Sequence, residues 1–202
     1  MKKLFAITAV CALLGSPLTV LAAGDASAGK QKSAACTACH NADGNSVNPQ
    51  WPKLAAQNPG YVAKQLNDFK AGHRVNAIMN GMATPLSEQE MQDLAAYFAS
   101  QTITRGQADP ALAPAGEQLF RGGNLNSGVS ACAACHGPDG AGNPLAGFPA
   151  LAGQHAEYIE AQLRAFRAME RANDAGQMMR NIAMKMTDAD IKAVASYVQG
   201  LQ

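Results

Sequence analysis

The sequence predicts an all-α chain made of two tandem copies of one domain. Three observations predict it. The phrase Cys36-Thr37-Ala38-Cys39-His40 returns as Cys132-Ala133-Ala134-Cys135-His136. Further matches accompany that phrase through both halves, as an internal duplication requires. The apolar positions between them recur at helical spacing, with no alternating run that would mark a strand.

Taken in order, the chain opens on an export signal. Lys2 and Lys3 form a positive start, Leu4 to Leu14 an apolar stretch, and Val20-Leu21-Ala22 a small-residue cleavage site. Gly15, Ser16 and Pro17 break the apolar stretch, leaving it too short to span a membrane. An uncleaved anchor is the alternative. The reading is therefore a signal peptide over 1–22, a first domain over 23–101, a linker over 102–113 and a second domain over 114–202. Cys11 falls inside the signal, so the mature chain keeps four cysteines, all in the two repeated phrases.

Residues near 25–35 and 113–121 read as short helices leading into those phrases. Glycine and proline clusters at 41–52 and 137–149 read as loops. Next, Tyr61, Gln65, Leu66 and Phe69 share one helical face, repeated by Tyr158, Gln162, Leu163 and Phe166 at an offset of 97. The last helix of each half opens on a capping box, Ser87-x-x-Glu90 and the weaker Thr187-x-x-Asp190. Met91, Leu94, Ala95 and Phe98 form its buried stripe, echoed by Ile191, Val194, Ala195 and Val198. Gly106, Pro110 and Pro114 punctuate the linker.

The spacing C-x-x-C-H carries the chemistry. Two thiols one helical turn apart reach two vinyl groups on one porphyrin edge, and the following histidine takes the iron as proximal ligand. Cys36, Cys39, Cys132 and Cys135 are thus the candidate covalent attachment points of two haem c groups, with His40 and His136 as axial ligands. A zinc half-site, a thioredoxin-like pair and a disulfide framework are the rival readings. Two copies on an exported chain, with no cysteine left over, favour haem. Composition agrees: aromatic residues make up only 5% of the chain, so each domain of about 90 residues has a thin core that a large apolar cofactor would complete.

The sixth iron position decides function, since an open one means catalysis and a filled one electron transfer. His73 and His155 have no histidine counterparts in the other half and read as surface residues. Eight methionines follow the two motifs, and most read as core filler. At an offset of 100 only Met79 meets another methionine, Met179. Those two are the candidate sulfur ligands, with Met82 and Met178 as runners-up. Pro52 and Pro149 stand 12 and 13 residues after their histidines. A carbonyl there would hold the imidazole Nδ1–H, or the prolines simply stiffen a loop.

Without Lys2 and Lys3 the chain carries 14 basic and 15 acidic residues. No basic patch or aromatic platform suggests nucleic acid. No nucleophile–base arrangement suggests an enzyme.

These phrases, with Phe148-Pro149-Ala150-Leu151-Ala152-Gly153-Gln154-His155, Gln118-Leu119-Phe120-Arg121-Gly122-Gly123 and Ala23-Gly24-Asp25-Ala26, resemble the dihaem cytochrome c4 family over essentially the whole mature chain. The resemblance implies two class I cytochrome c domains packed about a pseudo-twofold axis with their haems facing. It implies His/Met ligation, which falls on His40 with Met79 and on His136 with Met179. It also implies a periplasmic one-electron carrier, often loosely membrane-associated. The expected donor is a quinol–cytochrome c reductase or similar protein, and the expected acceptor a haem–copper terminal oxidase. The segment from Ala71 to Ile78 is short beside many relatives. The rival functions are an electron-transfer subunit of a dehydrogenase complex, a dihaem peroxidase and a zinc-binding structural protein.

Overall fold

The computed structural model describes residues 23–201, and the expected signal peptide over 1–22 lies outside them. Two helical halves follow each other. In the first, α1 (Ala26–Lys32) runs through a 3-10 turn (Ser33–Cys36) into α2 (Thr37–His40), followed by α3 (Pro59–Ala71), α4 (Ala77–Ala83) and α5 (Glu88–Ala99). In the second, α6 (Ala113–Gly122), α7 (Ala133–His136), α8 (Ala156–Arg167), α9 (Met178–Ala183) and α10 (Asp188–Gly200) repeat the order. Among the described residues the only strand-like pairings are two isolated bridges, Asn124 with Val129 and Asn143 with Phe148.

In each half the first helix crosses the last at very short range. Gly29 on α1 lies against the Asp93 backbone of α5, and Gly116 on α6 against the Ala193 backbone of α10. The two glycines are 87 apart, whereas the haem motifs are 96 apart. The second half therefore carries nine extra residues here, which hold the bridged turn at Asn124–Val129. The last helices bury the expected stripes, with Met91, Ala95, Ile191 and Ala195 wholly enclosed.

Both capping boxes are formed. The Ser87 and Thr187 hydroxyls accept from the N–H groups of Glu90 and Asp190, whose carboxylates accept from the backbone of Ser87 and Thr187. Ser87→Ala and Thr187→Ala should each cost about 1 kcal/mol, typical of a lost N-cap, read as a lower denaturation midpoint.

The loops after the motifs are pinned the same way twice. The Leu54 and Ala55 amides donate to Gly44 O, and the Leu151 and Ala152 amides to Gly140 O. Gly44 and Gly140 have φ of 78° and 68°, a conformation that penalises a Cβ. Segment 102–112 holds no helix but is anchored along its length. Asn45 bonds Thr102 and Thr104, Gly106 donates to Gln199 O, and Asp109 donates to Ser196 Oγ.

Candidate haem site

Each C-x-x-C-H phrase folds as one tight turn, ended by Asn41 and Gly137 at φ of 60° and 80°. The turn brings both imidazoles inward, leaving His40 and His136 each 7% exposed. Their Nδ1 atoms lie 2.8 and 2.9 Å from the carbonyl oxygens of Pro52 and Pro149. A carbonyl can only accept, so Nδ1 carries the proton and Nε2 keeps its lone pair for a metal. Burial pushes both imidazoles down in pKa, partly offset by the proline carbonyls. They are neutral near pH 7, as a metal ligand must be.

None of the four described cysteines is paired in a disulfide; Cys135 is exposed and the other three half-buried. Burial pushes the Cys132 thiol up to about 11, and burial with Cys39 nearby also raises Cys36. A redox-exchange pair has a depressed pKa instead. Among the described residues no three His, Cys, Asp or Glu side chains cluster as a bare-metal site.

The methionines separate by burial. Met91 and Met186 are core residues, at 0% and 5% exposure. Met79 stands in the first turn of α4, its amide capped by Asn76 Oδ1 at 3.0 Å. Met179 lies at the start of α9 and packs on the second core. Both are half-buried, whereas Met82 and Met178 are 37% and 42% exposed. All four face one cavity of about 970 Å³, which is also lined by the four cysteines and both histidines. Such a volume lies at the upper end of small-molecule sites. Paired thiols, a neutral imidazole with free Nε2 and a thioether on each side form a donor set that fits a c-type haem.

The halves meet through reciprocal bonds. Gln57 clasps the backbone of Ala150, accepting from its N–H and donating to its C=O at 2.8 and 2.9 Å. Gln154 clasps Lys53 identically, at the same two distances. His155 corrects the surface reading: its Nε2 sits 2.8 Å from Ser46 O, across the domain boundary. Its repeat partner Asn58 likewise crosses, donating to Phe148 O at 2.7 Å. Burial lowers the His155 pKa, so a neutral ring joins the halves. His73 is exposed, as expected.

A layer of polar residues between the halves escaped the reading of the sequence. Arg74 donates to Tyr158 and Gln162 of the other half, and Arg171 to Tyr61 and Gln65. The signal was present: Arg74 and Arg171 also stand 97 apart. A polar residue repeated a few positions past the end of the same helix in each half marks contact between the copies.

The family model described as cytochrome c matches twice, over residues 26–102 and 113–202. Cytochrome c4 of Stutzerimonas stutzeri is 53% identical over 190 residues, covering 89% of this chain and 90% of that protein. A thiosulfate dehydrogenase electron acceptor of Thiomonas intermedia is 42% identical, covering 83% and 78%. The crystal structure of reduced recombinant cytochrome c4 from Pseudomonas stutzeri superposes with a TM-score of 0.87 at 52% identity, covering 89% of this chain and all of that one. Duplicated motifs, helical halves and these likenesses agree: the chain belongs to the cytochrome c4 family, and it is a two-domain electron-transfer protein, not an enzyme, with two covalently bound haem c groups.

Proposed function

We propose that Cys36 and Cys39 hold one haem and Cys132 and Cys135 the other. Iron is then held by His40 with Met79 and by His136 with Met179. The observation that carries this reading is the twofold repeat of one arrangement: a buried imidazole aimed by a proline carbonyl, beside paired thiols and a half-buried methionine. The haem supplies one-electron Fe(III)/Fe(II) chemistry. The chain holds its ligands still, keeps the imidazoles neutral and excludes water from the apolar cavity. A thioether ligand favours the ferrous state.

The chain acts in the periplasm, delivered there by residues 1–22. Its domains are 23–101 and 114–202, joined by 102–113. Among the described residues no helix is long and apolar enough to cross a membrane. Electrons come from a quinol–cytochrome c reductase or a similar donor and pass to a haem–copper terminal oxidase. A second reading has a periplasmic dehydrogenase as donor, favoured by the likeness to a thiosulfate dehydrogenase electron acceptor.

A redox-titrated visible spectrum tests the core of this reading. Two haems per chain and the weak far-red band of sulfur-ligated ferric haem are expected. A colourless mature protein would sink it. Rapid mixing tests the partners: oxidation by oxidase-bearing membranes supports the first, and reduction by a purified thiosulfate dehydrogenase the second.

A further inference from the structure

The two methionine-bearing segments are seated differently on their halves. Met179 packs on the second core together with Ile182, three residues further on. Among the described residues neither Met79 nor Met82, at the matching positions, packs on the buried clusters of the first half. From Lys70 to Met82 every residue is exposed or half-buried, with Val75 and Ile78 at 79% and 60% exposure. Apolar burial therefore does not fix the path of the chain into Met79. A segment with so few buried contacts opens readily unless something else ties it down.

Hydrogen bonds tie it, and they converge on Asn80, the residue after Met79. Its Nδ2 donates to Phe69 O near the end of α3 at 2.5 Å, and to Arg74 O at 3.0 Å. Its Oδ1 accepts from the Asn76 N–H at 2.7 Å, and its own N–H donates to Asn76 O at 2.8 Å. Asn76 in turn caps the Met79 amide at 3.0 Å. One carboxamide thus joins the end of α3, the turn after it and the first turn of α4. The junction uses two N–H donations and one acceptance at once, which no carboxylate, hydroxyl or apolar side chain supplies.

The second half holds its methionine by other means. At an offset of 100, Arg180 takes the place of Asn80. It reaches back to Asp174, its Nε donating at 2.7 Å and its backbone N–H at 3.0 Å. That link spans six residues and leaves the end of α8 untouched. Packing of Met179 and Ile182 on the core supplies the rest.

We infer that Asn80 is a positioning residue for the first haem: by tying residues 69–79 together it holds the Met79 sulfur at the iron, a hold that core packing supplies in the second half. The inference rests on the reading of Met79 as a ligand and adds the residue that keeps it in place. Removing the carboxamide leaves every ligand present but lets the iron–sulfur bond of the first haem open more often. Weaker thioether ligation favours the ferric state and lowers the potential of that haem alone.

The test uses the holoprotein. Asn80→Leu keeps the volume and suits a helix, but removes every side-chain hydrogen bond. Asn80→Asp keeps the size and an acceptor for Asn76, loses both donations, and reads the same point where the leucine variant fails to fold. Carbon monoxide uptake by the ferrous first haem waits for its iron–sulfur bond to open. In either variant that uptake should quicken roughly tenfold or more, the worth of two lost hydrogen bonds. The far-red band of the same haem should vanish at a lower temperature than in the wild type, and its midpoint potential should fall. The second haem should keep wild-type values in all three measurements. Ser87→Ala also weakens the first half, yet it should leave carbon monoxide uptake unchanged. The inference is overturned if the second haem responds as much as the first, if neither responds, or if Ser87→Ala reproduces the change. Met79→Leu assigns the first haem's band and checks the underlying reading separately. If it removes a band while the Asn80 variants are silent, the positioning alone fails; if both bands survive it, the ligand reading fails and this inference with it.

Discussion

Met79→Leu should abolish the far-red band of one haem and leave the other untouched, and Met179→Leu should do the converse. Leucine keeps most of the volume, so packing loss stays below about 1.5 kcal/mol while the sulfur is gone. This matters most at Met179, which packs against the hydrophobic core of the second half. Without its sulfur ligand the affected iron should fall in potential, and its ferrous form should take up carbon monoxide at that centre alone. The controls are Met82→Leu and Met178→Leu, side chains that line the same cavity but are more exposed. They should leave both bands unchanged. If a control variant loses a band and its neighbour keeps it, the ligand is the control residue.

Why candidate ligands could be picked from the sequence, and the interface could not, follows from how each is encoded. Haem attachment is local: five consecutive residues state it, and the backbone turn needed is the one those residues form. The proline carbonyl is nearly as local, since a chain leaving His40 must return within 12 residues to reach Nδ1. The amphipathic stripes and capping boxes likewise depend on neighbours three or four positions away. Contact between the halves depends on residues about 90 positions apart, such as Arg74 with Gln162 or Gln57 with Ala150. Nothing in a helical period says which polar side chain will find a partner on another domain, and so His155 read as a surface residue. The nine-residue insertion before Cys132 went unseen for a related reason. Glycine carries no side chain to register, so the match of Gly29 with Gly116 appears only when each is seen against its opposing helix.

That match makes the second strong prediction. A Cβ added at Gly29 would stand 2.0 Å from Asp93 O and 2.9 Å from Tyr97 Cβ. At Gly116 it would stand 2.2 Å from Ala193 O and 2.6 Å from Tyr197 Cβ. Backbone sits in the way both times, so no side-chain rotation relieves the clash and the helices must part. Alanine is the better helix former by up to about 1 kcal/mol, and overpacking costs roughly 1–3 kcal/mol or more. With contacts this short the clash should win, and Gly29→Ala and Gly116→Ala should each destabilise the protein by about 2 kcal/mol. Gly60 on α3 supplies the contrast, because nothing lies within 4 Å of its added Cβ. Gly60→Ala should be neutral or stabilising by up to about 1 kcal/mol. Denaturation followed at the haem absorbance of the holoprotein reads all three variants. α1 feeds directly into Cys36 through the 3-10 turn, so parting α1 from α5 should also loosen the first haem before the second. Equal stability of Gly29→Ala and wild type would mean that the helix crossing is not held at this distance.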